Sequence, residues 1–129
     1  MDYEAYRSYH AVDLQARTAS ASPVQLVLIL MDGLLAEIAR ARAHISGRRY
    51  EKKAESLNKC VEILNGLSSA LDLEAGGEVV ANLHRLYDYC ARRLHEAGVK
   101  LDVAVLDEVS GHLETIRRGW LGVQEKQAA

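Results

Sequence analysis

Ser22-Pro23-Val24-Gln25-Leu26-Val27-Leu28-Ile29-Leu30-Met31-Asp32-Gly33 reads as the opening of a long helix that carries more apolar surface than one core requires. Proline disfavours the α region for the residue before it, so Ser22 takes the extended conformation of an N-cap and Pro23 the first helical position. Gln25, three residues on from Ser22, completes a capping box. At the helical angular step Val24, Val27, Leu28, Met31, Leu34, Leu35 and Ile38 share one broad face, the stripe a packed helix needs. Leu26, Ile29 and Leu30 fall on a different side, next to Gly33, whose missing side chain lets another backbone approach. Burying a leucine or isoleucine contributes roughly 1.5–3 kcal/mol. This second stripe therefore has one of two fates: a neighbouring helix covers it, or a partner does.

Outward from that stretch, 129 residues make one domain with a real core. A single proline, no phenylalanine, 49% hydrophobic and 26% charged residues point to a helical globular chain. The net charge of -2 supplies no global attraction for nucleic acid or anionic lipid. The basic pairs Arg48-Arg49, Lys52-Lys53, Arg92-Arg93 and Arg117-Arg118 are scattered and interleaved with glutamate, as on solvated helix faces. Met1-Asp2-Tyr3-Glu4 lacks the basic start of a secretory signal, and the longest apolar run, Leu26 to Met31, is too short to span a bilayer. No membrane insertion and a cytosolic location are the expectation. Cys60 and Cys90 sit among apolar helix positions and read as buried thiols rather than a disulfide or zinc site.

Residues 1–21 hold Tyr3, Tyr6 and Tyr9 at three-residue intervals, then Val12 and Leu14, then a small-residue linker. Rings with polar tips suit a removable cover over an apolar groove, and equally a terminal helix docked permanently on the core. The helix opened at Pro23 extends to about Ser46, with Gly47 placed to stop it in the left-handed conformation. Tyr50, Ala54, Leu57, Val61, Leu64, Leu67 and Leu71 form the seam of a second helix, and Gly76-Gly77 breaks the pattern after it. Val79, Leu83, Leu86, Cys90, Leu94 and Ala97 give a third seam closed by Gly98. Asp102 is the N-cap of a fourth helix with Val103, Leu106, Val109, Leu113, Ile116 and Trp120 as its stripe. Gly111, inside that helix, signals either a close contact or a tolerated defect. Short connections force each helix back beside the last, so the expected fold is all-α, an antiparallel up-down-up-down four-helix bundle over 22–122. A terminal segment over 1–21 and a tail over 123–129 complete the chain.

Catalytic signals are absent from the sequence. None of His10, His44, His84, His95 and His112 has a glutamate three residues before it, which removes the di-iron bundle reading, and no metal site or cofactor is expected. His112 follows Glu108 by one turn, the spacing of a surface pair. No phosphate loop, nucleophile elbow or dinucleotide fingerprint occurs. A phosphotransfer histidine at His84 is disfavoured by Tyr87 and Tyr89, which crowd the next turn. The chain is not expected to be an enzyme.

Ala21-Ser22-Pro23, Gln25-Leu26, Met31-Asp32-Gly33, Leu71-Asp72 with Glu74 and Gly76-Gly77-Glu78, Asn82-Leu83, Leu86-Tyr87-Asp88-Tyr89 and Ile116-Arg117 with Trp120 together resemble the flagellar secretion chaperone family, FliS. Met31 departs from the aromatic that the family commonly places before Asp-Gly, keeping the site apolar and flexible. The resemblance implies a helical bundle that binds the disordered C-terminal region of flagellin, prevents its early polymerisation and helps deliver it to the flagellar export gate. It implies no catalysis. It also implies that the tyrosine segment, through Tyr6 and Tyr9, lies over part of the groove. Leu26, Ile29, Leu30 and Gly33 are the candidate surface for a client helix, and Tyr89, at the edge of the third stripe, is a further candidate contact. A second reading makes the extra stripe the seam of a client-free homodimer, a non-catalytic structural or regulatory module.

Overall fold

A computed structural model describes residues 22–71 and 73–128. Four helices follow one another: α1 (Pro23–Ser46), α2 (Tyr50–Ser69), α3 (Leu73–Lys100) and α4 (Val103–Ala128). The capping box is formed as the sequence predicts. Ser22 is extended (φ -65°, ψ 164°), its backbone N–H donates to Gln25 Oε1 at 2.8 Å, and its Oγ accepts from the Gln25 backbone N–H at 3.2 Å.

The turns differ from expectation in one instructive way. Gly47 has φ -88°; the left-handed residue is its neighbour Arg48, at φ 58°. The Arg49 N–H then donates to His44 O at 2.8 Å, a six-to-one closure that satisfies an end carbonyl. The far end of α3 repeats the device. Helix α3 runs past Gly98 to Lys100, Leu101 is left-handed at φ 56°, and the Asp102 N–H donates to Ala97 O at 3.0 Å. Gly98 is instead a packing notch, because a Cβ there would lie 2.7 Å from Leu57 Cδ1. Asp102 caps α4, accepting from the Ala104 N–H at 3.0 Å. Helix α4 continues to Ala128, beyond the expected bundle boundary at residue 122.

Consecutive helices are antiparallel neighbours and α4 returns to α1, closing a four-membered ring. Asp32 accepts from Arg117 at 2.7 Å, and Arg42 forms a two-pronged pair with Asp107. Lys53 Nζ donates to Gly98 O at 2.9 Å across α2 and α3. Met31, Leu34, Cys60, Leu64, Leu67, Tyr87, Cys90, Leu94, Leu106 and Leu113 fill the centre. Helix α2 is rolled relative to the predicted seam. Leu57, Leu64 and Leu67 of that seam are buried as expected, but Ser56 and Cys60 face inward beside them, whereas Tyr50 and Ala54 are exposed and Val61 is half-buried. Burial pushes the Cys60 thiol up to about 12 and the Cys90 thiol up to about 11, so both stay protonated at neutral pH.

Gly111 is exposed and a Cβ there would meet nothing within 4 Å among the described residues, which argues against the close-contact explanation. Gly111→Ala is expected to raise stability by about 1 kcal/mol through helix propensity alone. Urea denaturation followed by circular dichroism checks this, and a loss of stability would mean that the position is sterically occupied.

Candidate partner-binding site

The second stripe of α1 is neither free nor sealed. Leu26, Ile29, Leu30 and Gly33 are all half-buried. A Cβ built on Gly33 would lie 3.9 Å from Ile63 Cδ1, an ordinary contact, so the stripe borders the seam with α2, and among the described residues no backbone approaches closely there. Leu30 also packs against the core. Two turns further along α1, Glu37 gives one carboxylate oxygen to Arg40 at 2.7 Å, while the other is buried without a partner among the described residues.

One seam further round, α2 and α3 leave an open groove of about 230 Å³. Ala54, Leu57, Val61, Leu94 and Val99 supply its apolar lining, and Lys53, Asn58 and His95 its polar edge. The groove exists because α2 is rolled: the apolar residues that the seam pattern placed inside, Ala54 and Val61, are the ones left to line it. Sequence reasoning missed this site. The available signal was an excess of apolar positions on α2, since Cys60 and Val61 cannot both point to the centre of one helix face.

Tyr89 belongs to the opposite side of the ring from the α1–α2 seam. Its hydroxyl donates to Glu108 Oε2 at 2.7 Å, and its ring meets His112 edge-on with centroids 5.9 Å apart. Arg93 reaches Glu108 Oε1 at 2.5 Å and Glu96 at 2.7 Å, Lys100 reaches Glu96 at 2.8 Å, and His112 Nε2 lies 3.2 Å from Glu108. The structure therefore does not bring Tyr89 together with Leu26, Ile29, Leu30 and Gly33. Tyr6 and Tyr9 lie outside the described residues. Tyr87, two positions from Tyr89, is core.

The hydrogen bonds from Arg93 and then Tyr89 hold the Glu108 carboxyl down at about 2. A carboxyl depressed on folding contributes stability that is present above its ordinary value near 4.5 and lost as pH falls toward 2. Glu108→Gln is thus expected to flatten the acid limb of the stability curve between those values. Unfolding midpoints measured across that range check it, and an unchanged slope would show that Glu108 is not the linked group.

Among the described residues no three side chains of His, Cys, Asp and Glu gather as a metal site. No helix among them is long and apolar enough to cross a membrane. What the geometry offers is apolar seams with polar edges, which suit the docking of a peptide or helix.

The comparisons with known proteins agree on one family. The family described as Flagellar protein FliS matches residues 5–127. The Flagellar secretion chaperone FliSB of Pseudomonas aeruginosa is 38% identical over 120 residues, covering 93% of this chain and 95% of that protein. The Flagellar secretion chaperone FliS of Salmonella typhimurium is also 38% identical, over 121 residues, covering 93% of this chain and 90% of its own length. The crystal structure of a bacterial flagellar chaperone superposes with a TM-score of 0.76 over 98% of this chain and 99% of that chain at 18% identity, which shows the shared fold. With a matching family over nearly its whole length and relatives covered almost completely, the chain belongs to the flagellar secretion chaperone family FliS.

Proposed function

We propose that the protein is a cytosolic export chaperone that holds the disordered C-terminal region of flagellin on its apolar seams, keeps it from polymerising and passes it to the flagellar export gate. The observation that carries this reading is the apolar surface left after the core is complete. The α2–α3 groove and the half-buried α1 stripe lie on neighbouring seams, so an extended or helical client can run from one to the other. A disordered client must overcome its ordering entropy on binding, which calls for broad apolar burial rather than a few polar contacts. Residues 1–21, with Tyr6 and Tyr9, act in this reading as a cover that the client displaces.

Calorimetric titration with the C-terminal segment of flagellin tests it. Tight saturable binding with a negative heat-capacity change is expected. Ala54→Glu places a carboxylate at an exposed helical position lining the groove and is expected to weaken binding about tenfold or more, the effect of about 1.4 kcal/mol, with unchanged helical circular dichroism. Equal affinity would remove the groove from the site. A variant lacking residues 1–17 that binds more tightly identifies a competing cover, and one that binds more weakly makes the segment part of the site.

A further inference from the structure

The end of the bundle that carries the α1–α2 and α3–α4 turns holds the densest run of cations in the sequence. Arg48, Arg49, Lys52 and Lys53 fall within six positions, with Glu51 as the one acid between them. Arg40, Arg42, Arg93, Lys100 and Arg117 each hold a carboxylate, while Arg85 and Arg118 donate to Asn82 and Thr115 as single cations away from the cluster. Arg49 and Lys53 instead donate to uncharged acceptors: Arg49 to Ala43 O and His44 Nδ1, Lys53 to Gly98 O. Among the described residues no carboxylate pairs with any of the four.

Large apolar side chains stand exposed at the same end. Tyr50 is 46% and Leu101 40% exposed. The Lys53–Gly98 bond ties the first turn of α2 to the last turn of α3, and Tyr50 and Leu101 each lie three residues from that tie. Leu101 and Arg48 are also the two non-glycine residues with positive φ among those described, a conformation costing roughly 1–2 kcal/mol for an L-residue. A glycine in either seat would avoid that cost, so the chain presents a leucine and an arginine here against local preference.

We infer that this turn end is a second docking surface, for an acidic protein segment whose apolar residues seat on Tyr50 and Leu101 while its carboxylates meet Arg48, Arg49 and Lys52. Charge complementarity selects the occupant. The chain as a whole carries -2, so a local excess of cations favours an acidic partner at this end. Exposed apolar side chains require apolar partner atoms, which a nucleic-acid backbone lacks, and Glu51 within the cluster disfavours a dense polyanion. The surface adjoins the client groove at Lys53 and is distinct from it in charge.

The test uses the full chain and a labelled twelve-residue peptide of Glu-Glu-Leu repeats, read by fluorescence anisotropy, with a Lys-Lys-Leu peptide, anionic phosphatidylglycerol vesicles and duplex DNA as comparisons. Binding of the acidic peptide is expected, weakening as salt rises. Arg48→Glu, Arg49→Glu and Lys52→Glu combined is expected to weaken it about tenfold or more. Leu101→Gly is expected to weaken it about threefold while keeping or raising thermal stability, because glycine fits the left-handed seat. Absent binding, equal binding of the Lys-Lys-Leu peptide, preference for vesicles or DNA, or an unchanged affinity in both variants overturns the inference. The charge-reversed protein must still bind the flagellin segment with native affinity; loss of both together would place these residues in the client site and overturn it as well.

Discussion

Tyr87→Ala is expected to lower the unfolding free energy by about 3–5 kcal/mol, the cost of removing a large aromatic from a packed interior. For a domain whose total stability is about 5–15 kcal/mol that change threatens folding itself. The ring is 1% exposed, beside Cys90 on its own helix and within the central cluster. The hydroxyl has a different standing. It faces the Trp120 side chain without meeting it in hydrogen-bond geometry, and burial pushes the phenol up. Among the described residues the hydroxyl has no hydrogen-bond partner, and a buried hydroxyl so left costs about 1–3 kcal/mol of desolvation. Tyr87→Phe is therefore expected to be neutral or stabilising, although the two substitutions touch the same ring. Urea denaturation of both variants decides the matter; a Phe variant as unstable as the Ala variant would show that the hydroxyl holds the core together.

Gly77→Ala is expected to cost about 1–3 kcal/mol, since φ 58° with ψ -137° is a region open essentially to glycine alone. Among the described residues nothing lies within 4 Å of a built Cβ, so the penalty comes from the backbone and not from crowding. Its neighbour Gly76 is the reverse case, where a Cβ would strike Val80 Cγ2. The break at Gly77 separates the first turn of α3 from the long remainder that packs in the bundle. Differential scanning calorimetry is expected to show a fall of about 3 °C or more in Tm for Gly77→Ala and a rise for Gly111→Ala. Opposite signs for the same chemical change separate conformational need from helix propensity; a Gly77 variant with unchanged Tm would show that the kink relaxes freely.

The parts of the fold legible in the sequence are those set by local chemistry. Ser22 with Gln25 and Asp102 are caps whose side chains bond within a few residues of themselves, so their spacing carries the whole instruction. The stripes of α1 and α4 are legible for the same reason. Gly47 and Gly98 were less so, because glycine serves both to turn a chain and to let helices approach, and only tertiary contact tells which. The left-handed seat at Arg48 is fixed by where the last helical hydrogen bonds close, one residue past the glycine. On α2 a seam through Tyr50 and Ala54 fits the spacing as well as one through Ser56 and Cys60. Both keep Leu57, Leu64 and Leu67 inside; hydrophobicity favours the first, yet packing against α1 and α3 takes the second.

The candidate site was legible in part. The extra stripe on α1 is there, half covered by α2, and its bordering by Ile63 follows from a helix pairing that the sequence orders but does not align. Tyr89 stands at the stripe's edge as expected. Its bond to Glu108 depends on the register between α3 and α4, which no local pattern specifies. The pair of Glu108 with His112 was visible at its one-turn spacing; that Arg93 and Tyr89 converge on the same carboxylate was not.

The connections between helices also govern when the molecule becomes able to act. Gly47 to Arg49 and Leu101 to Asp102 are the whole of two turns, so three of the four seams join helices adjacent in sequence. Such a chain has low contact order and folds in about microseconds to milliseconds, far faster than a ribosome adding about 5–20 residues per second. The α2–α3 groove is built from residues 53–99, while the two seams that α4 makes, with α3 through Tyr89–Glu108 and with α1 through Asp32–Arg117 and Arg42–Asp107, wait for the last helix. The groove's lining is thus complete in the chain before α4 is made, but Leu106, Val109 and Leu113 of α4 finish the core behind it, so the last helix to be synthesised is the one that makes the groove a stable surface.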